Sequence, residues 1–243
     1  MEALPFSSLR PGAALPDWLK PYAFDNQPRH TRYALVEDAG RTVLHARADA
    51  STSGLTRAIR VDPAAHPVLA WRWKVKNLIA KSDLATHDGD DFPARLYVSF
   101  DVDVASLSFG DRMSIGLARM LYGPQVPVAV LCYVWDNKAP AGTIVPNAYT
   151  DRVRMIVAES GAARVGRWVE YERDVAQDFI RAFGPARTVP AGGTGGAREA
   201  APVPGSPPIP MINGIIVSTD TDNTGESAEA WFGDVAFRAR RPS

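Results

Sequence analysis

The sequence predicts an all-β fold, a β-sandwich of the jelly-roll kind with one or two short helices. Three observations carry this. Most apolar residues lie in short runs or alternate with polar ones, the period of a half-buried strand. Twenty Pro and nineteen Gly punctuate these runs, and turn signals recur at short spacing. About ten such runs follow one another with little helical periodicity between them, the pattern of sandwiches and barrels.

"TRYALVED" and "RTVLHARAD" flank "AG" and read as a hairpin. "LTRAIRVD" follows and is closed by Pro63. The next strands are "PVLAWRWKV", "ARLYVSFDVD", "PVAVLCYVWD", "DRVRMIVAES" and "RWVEYERDV". "NGIIVSTD" and "AWFGDVAFRA" close the series. Between them, "VAQDFIRAFGP" places Val175, Phe179 and Phe183 on one helical face, with Gly184 and Pro185 as a stop. "ASLSFGDRMSIGLARMLYG", residues 105–123, carries mixed signals for a short helix or a loop. Residues 190–208, rich in Gly and Pro, read as a flexible surface loop within a single domain spanning 1–243.

Composition excludes several function classes. With 27 basic and 27 acidic side chains in 243 residues, the chain lacks the cationic excess of a nucleic-acid binder. No apolar run has the length of a membrane span. The single cysteine, Cys132, lies in "VAVLCYVW" and reads as a small buried hydrophobe. No nucleophile elbow, zinc-binding helix or phosphate-cradling Gly loop is present. The N-terminal segment has no basic region followed by an apolar one. The expected location is therefore cytoplasmic, or periplasmic or secreted if a signal segment was removed.

Alternation assigns side chains to faces. Leu69, Trp71, Trp73 and Val75 share one face of their strand and read as core, with Arg72 and Lys74 opposite. Leu96, Val98 and Phe100 oppose Arg95, Tyr97, Ser99 and Asp101. Val130, Cys132 and Val134 suit a core and leave Tyr133 and Trp135 outside; Val153, Met155 and Val157 leave Arg152 and Arg154 outside. Were these strands in one sheet, Arg72, Lys74, Arg95, Tyr97, Tyr133 and Trp135, with Arg152 and Arg154, would form a basic face with aromatic platforms. Aromatic rings stack on sugars, and arginine forks recognise carboxylates or sulfates. The alternative is an ordinary solvated or covered sheet face.

Two acid clusters stand at strand ends. Asp88, Asp90 and Asp91 precede the strand from Arg95, whereas Asp220, Asp222, Asn223 and Glu226 follow "GIIVST". In an antiparallel sheet one strand enters where its neighbour exits, so both clusters, with Asp136 and Asn137, are expected at one end. Converging carboxylates suit a hard cation such as calcium, with Asp90, Asp91, Asp220 and Asp222 as ligands. "DTDNTGE" is not an EF-hand: Thr224 stands at the third ligand position and Trp231 at the twelfth. Turn formation explains the same residues. Paired carboxylates also permit acid–base chemistry, as in glycoside cleavage.

"SGLTRAIRVDP", "LAWRWKV", "GDDFPARLYVSF", "RWVEYERDVAQDFIRAFG" and "STDTDNTGESAEAWFGDVAF" together resemble the successive motifs of domain of unknown function 3047, a family of uncharacterised bacterial proteins. The resemblance runs from about Pro5 to Phe237 and implies no activity. Members commonly look exported. A further resemblance, to galactose-binding-like jelly rolls, implies a sandwich that binds sugar on a sheet face or at the loop end, with calcium holding loops together. The leading expectation is a carbohydrate-binding protein, for an anionic glycan, contacting it through the face above and Asn223. The alternatives are a glycan hydrolase or lyase using Asp90, Asp91, Asp220 and Asp222, and an envelope protein without a small ligand.

Overall fold

The computed structural model describes residues 1–23, 27–102, 128–184 and 209–241. The expectations for 105–123 and 190–208 lie outside them. The described residues form two facing sheets and one α-helix.

The first sheet is built from β1 (Glu2–Leu4), β3 (Arg32–Asp38), β4 (Arg41–Asp49), β6 (Val68–Val75), β11 (Val169–Asp174) and β13 (Ser227–Arg238). Its order is β11-β6-β13-β4-β3, with β1 also beside β13. The second sheet contains β2 (Lys20–Tyr22), β5 (Gly54–Val61), β7 (Arg95–Phe100), β8 (Ala129–Asp136), β9 (Ile144–Pro146), β10 (Val153–Ser160) and β12 (Ile212–Ser218). Its order is β2-β5-β12-β7-β8-β10-β9. Neighbours are antiparallel except β8 and β10, which run parallel; β10 lies between β8 and the antiparallel edge strand β9.

The β3–β4 hairpin forms as its sequence demands. Ala39 and Gly40 both have positive φ, 52° and 72°, the twist a two-residue hairpin turn needs. Its tip leaves the sheet. β4 pairs with β13 only as far as Leu44 opposite Phe232. Past the irregularity between Phe232 and Val235, β1 pairs with β13 through Leu4 and Val235.

The helix α1 (Val175–Phe183) starts where the Asp174 side chain accepts a hydrogen bond from the Gln177 amide at 2.9 Å, and ends at Gly184, φ 81°. Its apolar face packs Phe179 on Phe100 at 4.5 Å between ring centroids. Asp178 on α1 is buried, accepting from the Tyr133 hydroxyl at 2.9 Å and from Arg173 Nη2 at 2.6 Å.

The main core lies between the sheets. Trp71 and Trp73 are buried there as expected, and Trp71 stacks on Tyr171 at 4.9 Å. Such aromatic pairs add about 0.5–1.5 kcal/mol beyond area burial. Two face assignments are corrected. Tyr133 and Trp135 point into the main core and are fully buried, whereas Cys132 and Val134 face a smaller outer cluster with Leu84, Phe92, Met155 and Val157. β10 is likewise reversed, with Ile156 in the main core. The cause is cover on both sides. Leu84 and Phe92 close the outer face of these strands, so alternation there separates two apolar compartments rather than core from water.

Candidate functional site

The expected basic aromatic face does not assemble. β6 belongs to the first sheet, and β7, β8 and β10 belong to the second. Arg72 and Lys74 therefore stand apart from Arg95 and Tyr97, and Tyr133 and Trp135 are in the core. Tyr97 lies half-buried against the smaller outer cluster.

Arg72 and Lys74 instead join a self-contained network. Registers place His45, Trp231 and Lys74 in one row across β4, β13 and β6. His45 stacks on Trp231 at 4.6 Å, and Lys74 Nζ stands over the same ring at 4.3 Å. Trp231 is thus in contact with its neighbours on both flanking strands. The Arg72 guanidinium covers Trp168 at 4.4 Å. The hairpin tip supplies Asp38, which binds Lys74 and accepts from Trp168 Nε1 at 2.8 Å. Glu229 accepts from Lys76 Nζ at 2.6 Å and contacts His45 Nε2 at 3.0 Å. The hydrogen bond from Lys76 holds the Glu229 carboxyl below its ordinary pKa against the opposing effect of burial, with further help from His45 and Arg47. The rings here are used by the protein itself.

The loop end differs. Ser218 pairs with Arg95, and Arg95 with Val134, so β12 ends where β7 begins and β8 ends. Asp90, Asp91, Asp220, Asp222 and Asn223 all come to this end. Asp136 and Asn137 come too, but serve as staples. Asp136 Oδ1 accepts from the Lys138 and Ala139 amides at 2.7 and 2.5 Å. Asn137 Nδ2 donates to the carbonyls of Ile79, Ala80 and Ser82. Glu226 accepts from the Ala80 and Lys81 amides at 3.0 and 2.9 Å.

The floor of this end is a buried charge cluster. Arg95, 3% exposed, forks onto Asp220, with Nε to Oδ1 at 2.9 Å and Nη2 to Oδ2 at 2.8 Å. Its Nη1 reaches Asp90 Oδ1 at 3.3 Å, and it also donates to the Asp90 carbonyl. Asp90 Oδ2 accepts from Asn147 Nδ2 at 2.9 Å, and Asp220 Oδ1 from the Phe92 amide at 3.1 Å. Asp222, half-buried, accepts from Gln27 Nε2 at 3.0 Å. Asp91 is fully buried and accepts from the Thr224 amide through Oδ2 at 2.6 Å. One carboxylate oxygen each of Asp91, Asp220 and Asp222 lies within 4.8 Å of the others. Burial pushes the Asp220 carboxyl up to about 7, with Arg95 opposing and Asp91 and Asp90 reinforcing. Burial and then Asp91 raise Asp222 as well.

Above this floor stands a rim that the strand pattern did not reveal. Tyr149 is 56% exposed. Its ring stacks on His87 at 4.3 Å and 7°. Its hydroxyl accepts from Asn223 Nδ2 at 2.6 Å, and His87 Nε2 lies 2.6 Å from the Ala148 carbonyl. Three segments, 87–92, 147–149 and 220–224, are joined through these contacts. The signal available in the sequence was an aromatic residue in "PNAYTD", a turn with no apolar partner to bury it.

No helix among the described residues is long and apolar enough to cross a membrane. A family model described as "Protein of unknown function (DUF3047)" matches residues 16–236. No curated protein matches the chain.

Proposed function

Since this chain belongs to the DUF3047 family, whose description assigns no activity, we propose a function from its own geometry: a carbohydrate-binding β-sandwich protein that takes its ligand at the loop end. The observation that carries this reading is Tyr149. An exposed ring fixed by stacking on one side and by a hydrogen bond at its hydroxyl is a preorganised platform for the apolar face of a sugar. Asn223, Asp222 and Gln27 lie nearby, and polar groups of this kind hydrogen-bond hydroxyls.

Three of the cations that suggested an anionic glycan are engaged elsewhere. Arg95 is buried on Asp220 and Asp90, Lys74 is bound to Asp38, and Arg72 covers Trp168. With carboxylates dominating the loop end, the ligand on this reading is a neutral glycan. The protein would then act where such glycans are met, in the periplasm or outside the cell.

A glycan array with the natural sequence, Tyr149→Ala and Asn223→Ala tests the reading. Both changes are on the rim and leave the core untouched. Glycan binding that falls at least tenfold in both supports it. No binding by the natural sequence, or undiminished binding in both variants, refutes it. Turnover of a bound polysaccharide that disappears in Asp222→Asn would instead favour the hydrolase or lyase reading.

A further inference from the structure

We infer that Asp91, Asp220 and Asp222 form a binding site for one hard divalent cation, calcium in preference to magnesium. The inference stands independently of the glycan reading.

Two observations meet at this site. The first is the grouping, in which one oxygen from each of three carboxylates lies within 4.8 Å of the other two. The second is Asp91 Oδ1. This oxygen is fully buried and has no hydrogen-bond partner, although the other oxygen of the same carboxylate accepts from the Thr224 amide. A buried acceptor left unmet costs about 1–3 kcal/mol, more when charged. Asp136 Oδ2 is orphaned too, but Asp136 belongs to no such group of three among the described residues.

Charge argues in the same direction. Asp90, Asp91, Asp220 and Asp222 are gathered around the single guanidinium of Arg95. Asp90 is spent on Arg95 and Asn147. Asp220 is held in place by its fork to Arg95. Asp91 and Asp222, one fully buried and one half-buried, have no ion-pair partner among the described residues. A dipositive ion between them offsets both and meets Asp91 Oδ1 directly. Carboxylate oxygens are hard donors and select hard cations.

Coordination habit separates the two common ions. Calcium accepts several carboxylates in flexible geometry at about 2.4 Å. Magnesium demands near-ideal octahedral geometry at about 2.1 Å, keeps several of its waters and is usually held by only one or two carboxylates. Half-burial of Asp222 leaves an approach from solvent for the ion and for the waters that complete its shell.

The test uses the full chain, stripped with chelator and titrated with calcium by calorimetry at neutral pH without glycan. We expect a single site with Kd of about 10–1,000 µM. At a hundredfold excess of calcium over Kd, the melting temperature should rise by about 5–10 °C. Asp222→Asn, chosen because its position is half exposed, should weaken binding at least tenfold, and Asp91→Asn should abolish the thermal shift. A flat titration and unchanged melting with calcium, magnesium and manganese overturn the inference. A folded Asp222→Asn that keeps full affinity also overturns it. Tighter binding of magnesium than calcium overturns the choice of ion. Glycan binding is a separate readout, so either proposal can fail while the other holds.

Discussion

Arg95 and Asp220, 125 residues apart in the chain, meet as a buried fork with contacts of 2.9 and 2.8 Å. Arg95 opens β7 and Asp220 lies just beyond β12. The pair fixes the loop after β12 to the start of β7 and sets the floor on which Asp91 and Asp222 stand.

Arg95→Met is expected to destabilise the protein by about 3–5 kcal/mol, because it strands Asp220 and Asp90 in a low-dielectric interior. Arg95→Lys should recover only part of this, since an ammonium cannot make both contacts of the fork. Urea denaturation of the two variants checks this. A loss below about 1 kcal/mol in Arg95→Met would show that the fork is dispensable.

Glu229 makes the first sheet sensitive to acid. Its carboxyl lies below the ordinary value of 4.5, chiefly through the hydrogen bond from Lys76. A carboxyl with a lowered folded pKa contributes stability that is complete above the unfolded pKa. That stability is lost as pH falls through the folded value. Stability should therefore decline below about pH 4.5, and Glu229→Gln should make that decline shallower while lowering stability at pH 7. Denaturation midpoints measured from pH 3 to 7 would show it. An identical acid limb in the variant would rule Glu229 out.

Gly233 is required by a neighbour rather than by its backbone. A Cβ there would lie 2.5 Å from Arg72 Cγ. Gly233→Ala should displace Arg72 from Trp168, cost about 1–3 kcal/mol by overpacking and change the tryptophan emission. A variant with unaltered stability and emission would show that Arg72 yields without loss.

Legibility in the sequence followed physical contrast. β6 was readable because Trp71 and Trp73 face the core while Arg72 and Lys74 face the outer network. α1 was readable because Val175, Phe179 and a Gly stop repeat at helical spacing. β8 is buried along its whole length, so Tyr133 and Cys132 gave no sign of which compartment each enters. β1, β2 and β9 are three residues long, too short for a period to register. The meeting of Asp91 with Asp220 and Asp222 followed from antiparallel order alone. Tyr149 did not, because its role comes from contacts with His87 and Asn223, far from it in sequence.

The position of β13 has a consequence for biosynthesis. It is the last strand of the first sheet to be made, yet it lies between β6 and β4 and also pairs with β1. On the ribosome, the β3–β4 hairpin and the β6–β11 pair emerge long before the strand that joins them. Until Ser227–Arg238 has left the exit tunnel, both halves present unpaired edges, and the inner faces of Trp71 and Trp73 lack their central neighbour. Nascent chains halted upstream of Ser227 are thus the species most exposed to aggregation and to capture by chaperones.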